Sequence, residues 1–285
     1  MPPCYYRSPH GTRIAFHYTP GMSGRNSLPG VVFLGGFRSD MNGTKARHLE
    51  QFCARNGQAY LRFDYSGHGR FGGAFENGTI GSWTQDATDI IDHVFEQRAV
   101  ILAGSSMGGW IALRILLDRP ARVYAVIGIA AAPDFTRDIK NRMTPSDHEM
   151  LERNGYVEIP SDYAQNPYIF TRSLLKDGEQ QAVLDSTYHI QVPLVLIHGR
   201  QDTDVPYKKA GDTASAFKGP NTRVILIEQA GHRLSEPENL RVIETELIRV
   251  SGLHPPQGMR DQLIPVSISV ETYPVSASIV KETKL

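Results

Sequence analysis

Cysteine is nearly absent. The 285 residues hold two, Cys4 and Cys53. Two thiols cannot build a disulfide framework, and no Cys-x-x-Cys pair exists for metal or dithiol redox work. They read as reduced thiols in a reducing compartment. Net charge is absent too, since 30 Lys and Arg offset 30 Asp and Glu. No global field draws such a chain to nucleic acid or to an anionic membrane. No run approaches the ~18 apolar residues of a transmembrane segment. Met1–Phe16 has neither the apolar core of a secretory signal nor the Arg- and Ser-rich character of a transit peptide. The expectation from these absences is a cytoplasmic protein with no nucleic-acid partner and no membrane span. No His, Cys, Asp and Glu set has convincing metal spacing, so no metal is expected. The first strand is not followed by Gly-x-Gly-x-x-Gly, which excludes a Rossmann nucleotide binder. No cofactor is expected.

What is present is globular. Hydrophobic residues make up 40% and charged residues 21%, which excludes disorder, collagen and coiled coil for the chain as a whole. The length suits one large α/β domain. Short β-prone runs around Pro9 and Gly11 suggest an N-terminal hairpin. Apolar strand runs follow at 31–34, 58–63, 99–103, 123–129, 193–198 and 222–227, alternating with helical patterns. Wholly apolar strands are those covered on both faces. The rhythm predicts a mostly parallel sheet with helices on both sides. It pauses between about Asp134 and Ile190, a polar, helix-prone stretch without a strong strand, read as a cap insertion. Ser82 is the expected cap of the helix that carries Trp83, Ile90, Ile91 and Val94.

After Pro255-Pro256 the chain changes character. Val266, Ile268 and Val270 alternate with polar residues, and Val275, Ala277 and Ile279 do so again. A period of two argues for strands, at a sheet edge or outside the main sheet. The division is a domain over 1–252, with the cap at about 134–190, and a tail over 253–285. The tail reads as a loosely held segment, an added hairpin or an arm for a homodimer.

The strongest chemical signal is Gly104-Ser105-Ser106-Met107-Gly108, which fits Gly-x-Ser-x-Gly. A strand precedes it and a helix follows. A sharp strand-to-helix turn exposes the central hydroxyl, and the flanking glycines avoid collisions. The frame selects Ser106 and leaves Ser105 as the intervening residue. A serine hydroxyl needs a base, and the base needs an orienting carboxylate. On this architecture the chain order is Ser, then acid, then His. Asp202 leaves the strand after the cap, and His232 leaves the last strand of the rhythm. Asp204 is the weaker candidate acid. His198, at a strand end, and His68, in the glycine-rich loop 66–73, are the weaker histidines. Oxyanion donors are expected from the N–H of Met107 and, in the turn Leu34-Gly35-Gly36-Phe37-Arg38, from the N–H of Phe37.

Together these residues resemble the α/β-hydrolase superfamily, from about Tyr5 to Val250. Asp64-Tyr65-Ser66-Gly67-His68-Gly69 resembles its Asp-x-x-Gly-x-Gly turn, and Asp202-Thr203-Asp204-Val205-Pro206 its acid loop. Met41-Asn42-Gly43-Thr44-Lys45-Ala46, the 62–67 stretch and Gly104–Trp110 look like the palmitoyl-protein thioesterase type within it, also described as acyl-glucuronide esterases. The resemblance implies acyl thioester or activated-ester hydrolysis by Ser106, His232 and Asp202, on a small-molecule or acyl-protein substrate. Carbon–carbon hydrolase or perhydrolase chemistry would use the same triad. A non-catalytic binding protein of this fold would usually lack one member. Tyr156, Tyr163, Tyr168, Ile169 and Phe170 in the cap either line an acyl pocket or attach the cap. Arg38 and Arg233 are either receivers of an anionic group or ordinary solvated or paired arginines.

Overall fold

The computed structural model describes residues 2–22, 28–70, 73–160, 167–253 and 267–272. β1 (Cys4–Arg7) and β2 (Arg13–Thr19) form the expected antiparallel hairpin. The alternation then runs β3 (Gly30–Leu34), α1 (Thr44–Asn56), β4 (Tyr60–Asp64), α2 (Ile80–Phe95), β5 (Val100–Ser105), α3 (Met107–Asp118) and β6 (Val123–Ile129). The pause holds α4 (Phe135–Arg142), α5 (Pro145–Asn154), β7 (Tyr156–Ile159), β8 (Tyr168–Thr171), α6 (Arg172–Gln180) and the short β9 (Tyr188–His189). The rhythm resumes with β10 (Leu194–Gly199), α7 (Lys208–Ala216), a two-residue β11 (Phe217–Lys218), β12 (Thr222–Ile227) and α8 (Pro237–Ser251). β13 (Ile268–Thr272) comes from the tail.

The main sheet has the order β1-β2-β4-β3-β5-β6-β10-β12-β13. From β4 through β12 its neighbours are parallel. Each central strand buries alternate residues on opposite faces. Val32 and Leu34 join the core on the face that α2, α3 and α7 cover, and Val31 and Phe33 join the core on the face that α1 and α8 cover. This two-sided cover is why the strand runs lack polar alternation. The fold is the expected mostly parallel α/β-hydrolase sheet with helices on both faces.

Two details differ from expectation. α2 starts at Ile80, and Thr79 is its cap; Ser82 is the reciprocal partner in a capping box. Such a cap stabilises a helix by about 1 kcal/mol. The cap insertion is not free of strands, because β7 and β8 pair antiparallel. Four-residue strands between helices are too short for a period of two to stand out. In the tail, β13 lies antiparallel to β12 at the sheet's edge. The second alternating run, over 275–279, lies outside the described residues.

Candidate active site

The turn at Ser106 is built by steric necessity. Ser106 has φ 53 and ψ −117, a conformation L-residues rarely adopt. Such backbone costs on the order of 1–3 kcal/mol and persists only where neighbours fix it. Here they do. Ser106 N donates to Ile129 O at 3.0 Å, and Ser106 O accepts from Gly109 N and Ala132 N. A Cβ at Gly104 would sit 2.3 Å from Gly108 O, and one at Gly108 would sit 2.1 Å from Leu34 O. Only glycine fits either place.

The parallel strands deliver the other groups to the same end of the sheet. His232 Nε2 lies 3.1 Å from Ser106 Oγ, and His232 Nδ1 lies 2.7 Å from Asp202 Oδ2. The serine, the histidine and the acid are 126 and 30 residues apart in pairs, yet form one hydrogen-bonded line. Asp202 is buried. Its Oδ1 accepts the N–H groups of Val205 and Asp204. Its Oδ2 accepts from both His232 and His198. Burial alone would raise the Asp202 carboxyl. The donors from His198, His232 and Val205 outweigh it and hold the group well below the ordinary carboxylate range.

Met107 is the first residue of α3, so its N–H has no carbonyl one turn back to bond. The turn bearing Phe37 lies against the elbow, since a Cβ on Gly36 would be 3.4 Å from Ser106 Cβ. Arg38 in that turn takes φ 57. Its N–H donates to Nε2 of the buried His68 at 3.3 Å, and His68 Nδ1 faces Ser66 O at 3.2 Å. Burial pushes His68 down to about 4, so the ring is neutral, with its hydrogen on Nδ1. Asp64, first residue of the Asp-x-x-Gly-x-Gly turn, accepts from Met41 N and Arg70 N. That turn therefore braces the turn that carries Phe37 and Arg38.

A cavity of about 510 Å³ opens over Ser106 and His232. Phe37, Phe135, Ile139, Ile159, Tyr168 and Phe170 supply its apolar wall. Of the five apolar cap residues, Tyr168 and Phe170 reach the cavity, Ile169 and Tyr156 are not among its lining, and Tyr163 lies outside the described residues. Phe170 also stacks on Phe37 at 5.2 Å between centroids, so one ring both lines the cavity and fastens the cap.

Lys45, Arg142, Arg233, Asp40 and Asp204 give the cavity its charged rim. Lys45 donates to Arg233 O. Burial and the neighbouring Arg233 charge push the Lys45 amine down to about 8. Arg38 is not in the lining; it pairs with Glu76 at 3.4 Å and stands over the Phe75 ring.

Sequence reasoning missed the place of His198 against Asp202, and the parts of Lys45 and Arg142. The strand-end position of His198, four residues before the acid, was the available signal. Asp202, Asp204 and His232 are the one metal-type cluster among the described residues. Asp202 and His232 are already bonded to each other, and Asp202 to three further donors.

A doubly covered parallel sheet that presents this Ser–His–Asp line at its strand ends has the arrangement of a serine hydrolase. Comparison with known proteins agrees. A family model described as serine aminopeptidase, S33 matches residues 30–156. The bovine protein named palmitoyl-protein thioesterase ABHD10, mitochondrial, is 34% identical over 241 residues, 82% of this chain and 78% of its own length. The human protein of that name is 35% identical, over 77% and 72% of the two chains. The solved structure of alpha/beta hydrolase domain-containing protein 10 from mouse superposes with a TM-score of 0.79 at 30% identity, over 88% of this chain and 98% of that one. The chain belongs to the α/β-hydrolase superfamily and, within it, to the ABHD10 family. Membership makes it a serine hydrolase of the ester and thioester class.

The cytoplasmic expectation is overturned. The relatives carry a mitochondrial designation, which points to mitochondria instead. That expectation rested on absences, of disulfide-forming cysteines, of a membrane span and of a targeting signal in Met1–Phe16, and an absence is no address. Among the described residues no helix is long and apolar enough to cross a membrane.

Proposed function

We propose that Ser106 is the nucleophile, His232 the general base and then acid, and Asp202 the group that orients and charge-stabilises the imidazole. His232 takes the Ser106 proton as Oγ attacks an acyl carbonyl carbon. The N–H groups of Met107 and Phe37 receive the oxyanion, each worth about 3 kcal/mol of barrier. The carbon–leaving-group bond breaks, and the alcohol or thiol departs with the His232 proton. His232 then deprotonates a water that attacks the Ser106 ester, the bond from Oγ to the acyl carbon breaks, His232 returns its proton to Oγ, and the acid leaves. The 3.1 Å and 2.7 Å contacts of His232 carry this reading.

The substrate class proposed is an acyl thioester or activated ester with an extended acyl chain. The apolar wall of the 510 Å³ cavity supports this, and so do the relatives named as palmitoyl-protein thioesterases. We place the hydrolase domain at 1–252 with its cap at 134–190, and treat 253–285 as an appended tail. A homodimer through that tail would use the outer edge of β13; sedimentation of the full chain decides whether one forms. The test of activity is a hydrolysis profile across p-nitrophenyl esters of two to sixteen carbons, with a palmitoyl thioester alongside. Ser106-dependent turnover favouring long chains or the thioester is the expected result. Turnover of short esters alone would reject the extended acyl chain.

A further inference from the structure

His198 stands behind the proposed triad and is not itself among the residues that line the cavity. It is the penultimate residue of β10, is fully enclosed, and places Nε2 3.0 Å from Asp202 Oδ2 and 2.9 Å from Val205 O. Both neighbours are acceptors, a carboxylate and a carbonyl. The Nε2 atom between them therefore carries the hydrogen. Asp202 Oδ2 thus receives the Nδ1–H of His232 at 2.7 Å and, at 3.0 Å, shares the one Nε2–H of His198 with Val205 O. The two donors share the charge of one oxygen.

We propose that His198 is a positioning residue that moderates the negative charge Asp202 presents to His232, and so sets the pH at which the base becomes free. The proposal rests on the triad reading above. An acceptor that binds a second donor is a weaker partner for the first, and a weaker carboxylate partner leaves an imidazole less basic. Other charged groups nearby do not replace it. Asp204 turns its N–H to Asp202 Oδ1. The strands flanking β10 bring Tyr124 and, three rungs from His198, Arg223, which pairs with Glu246. The packed α7 brings Lys208, Lys209 and Asp212, with Lys209 paired to Asp138. Arg233 and Lys45 sit beyond His232, toward the cavity.

The experiment is the pH profile of kcat/KM on a p-nitrophenyl ester for the wild type, His198→Leu and His198→Gln, each checked by thermal melt. With the His198 donor gone, Oδ2 serves His232 alone. The acid limb of His198→Leu then moves up by about half a unit. Its rate at pH 6, relative to its own plateau, falls about threefold. His198→Gln keeps an N–H donor and leaves the limb in place. A merely structural histidine gives the opposite pattern: loss of plateau rate, with the limb unmoved or moved down as Asp202 loosens. That result overturns the proposal.

A second measurement does not depend on any variant folding. Nitrogen-correlated proton spectra of the wild type should show a ring N–H on His198 Nε2 as well as one on His232 Nδ1. A His198 protonated on Nδ1 alone overturns the proposal. Failure here and failure of the triad reading are separable. A fully active Ser106→Ala removes the triad; an unmoved limb beside an inactive Ser106→Ala removes only the role of His198.

Discussion

The strand-end site and the cap that covers it are held by different physics. At the site the constraints are in the backbone. Ser106 occupies a φ of 53, Gly108 tolerates no Cβ because Leu34 O is in the way, and three loops meet through hydrogen bonds between 2.7 and 3.1 Å. In the cap the constraints are side chains. Exposed or half-exposed ion pairs of Arg137 with Asp185 and Glu179, and of Lys140 with Glu179, tie α4 to α6 and its following loop. Such solvent-screened pairs add little to stability. Phe37, Phe135, Tyr168 and Phe170 fasten the cap to the oxyanion turn through ring contacts. The contrast separates two tasks. Chemistry needs atoms at fixed positions, which backbone geometry enforces; acyl recognition needs a volume and an apolar wall, which many side-chain sets supply.

The predictions press on that contrast, beginning at the site. Ser106→Ala should lower kcat by roughly a million-fold while the thermal melt stays put; steady-state ester hydrolysis and calorimetry read both. Asp202→Asn should cost about 10⁴ in kcat, because Nδ1 of His232 loses its charged acceptor. Gly108→Ala should remove activity and stability together, about 3 kcal/mol in denaturant unfolding, since its Cβ meets backbone on β3. A Gly108→Ala protein as stable as the parent would show that the elbow is looser than described.

His68 makes a pH prediction. Its folded value, about 4, lies below the ordinary 6.5. Above pH 6.5 the ring is neutral in both states and nothing is lost. As pH falls from 6.5 toward 4, only the unfolded chain takes up the proton, and stability drops by up to about 3 kcal/mol. His68→Gln should flatten that part of the stability–pH curve. The smallest effect belongs to the cap. Phe170→Ala should raise KM for long-chain esters by roughly tenfold and leave short-chain kcat within about twofold. An equal loss on all chain lengths would mean that Phe170 serves the oxyanion turn rather than the acyl group.

The same contrast explains what the sequence made legible. The elbow can be read because Gly104, Ser106 and Gly108 answer a steric demand that few sequences meet. Asp202 and His232 follow because each parallel strand returns the chain to the same edge. The cap strands β7 and β8 stay hidden because four residues are too few to show a period. His198 stays hidden for another reason. A histidine ending a strand looks alike whether it faces solvent, core or carboxylate, and only the fold of the 199–205 loop turns Asp202 back onto it. Lys45 and Arg142 come to the cavity from α1 and α4, which no local pattern brings together.

The central claim is that Ser106, activated by His232, is the nucleophile. Intact-mass and peptide mass spectrometry after brief exposure to a fluorophosphonate tests it most directly. The account predicts one adduct on Ser106 in the wild type, none in Ser106→Ala, and greatly slowed labelling in His232→Ala. An adduct on another residue, or undiminished labelling of Ser106→Ala, would contradict it.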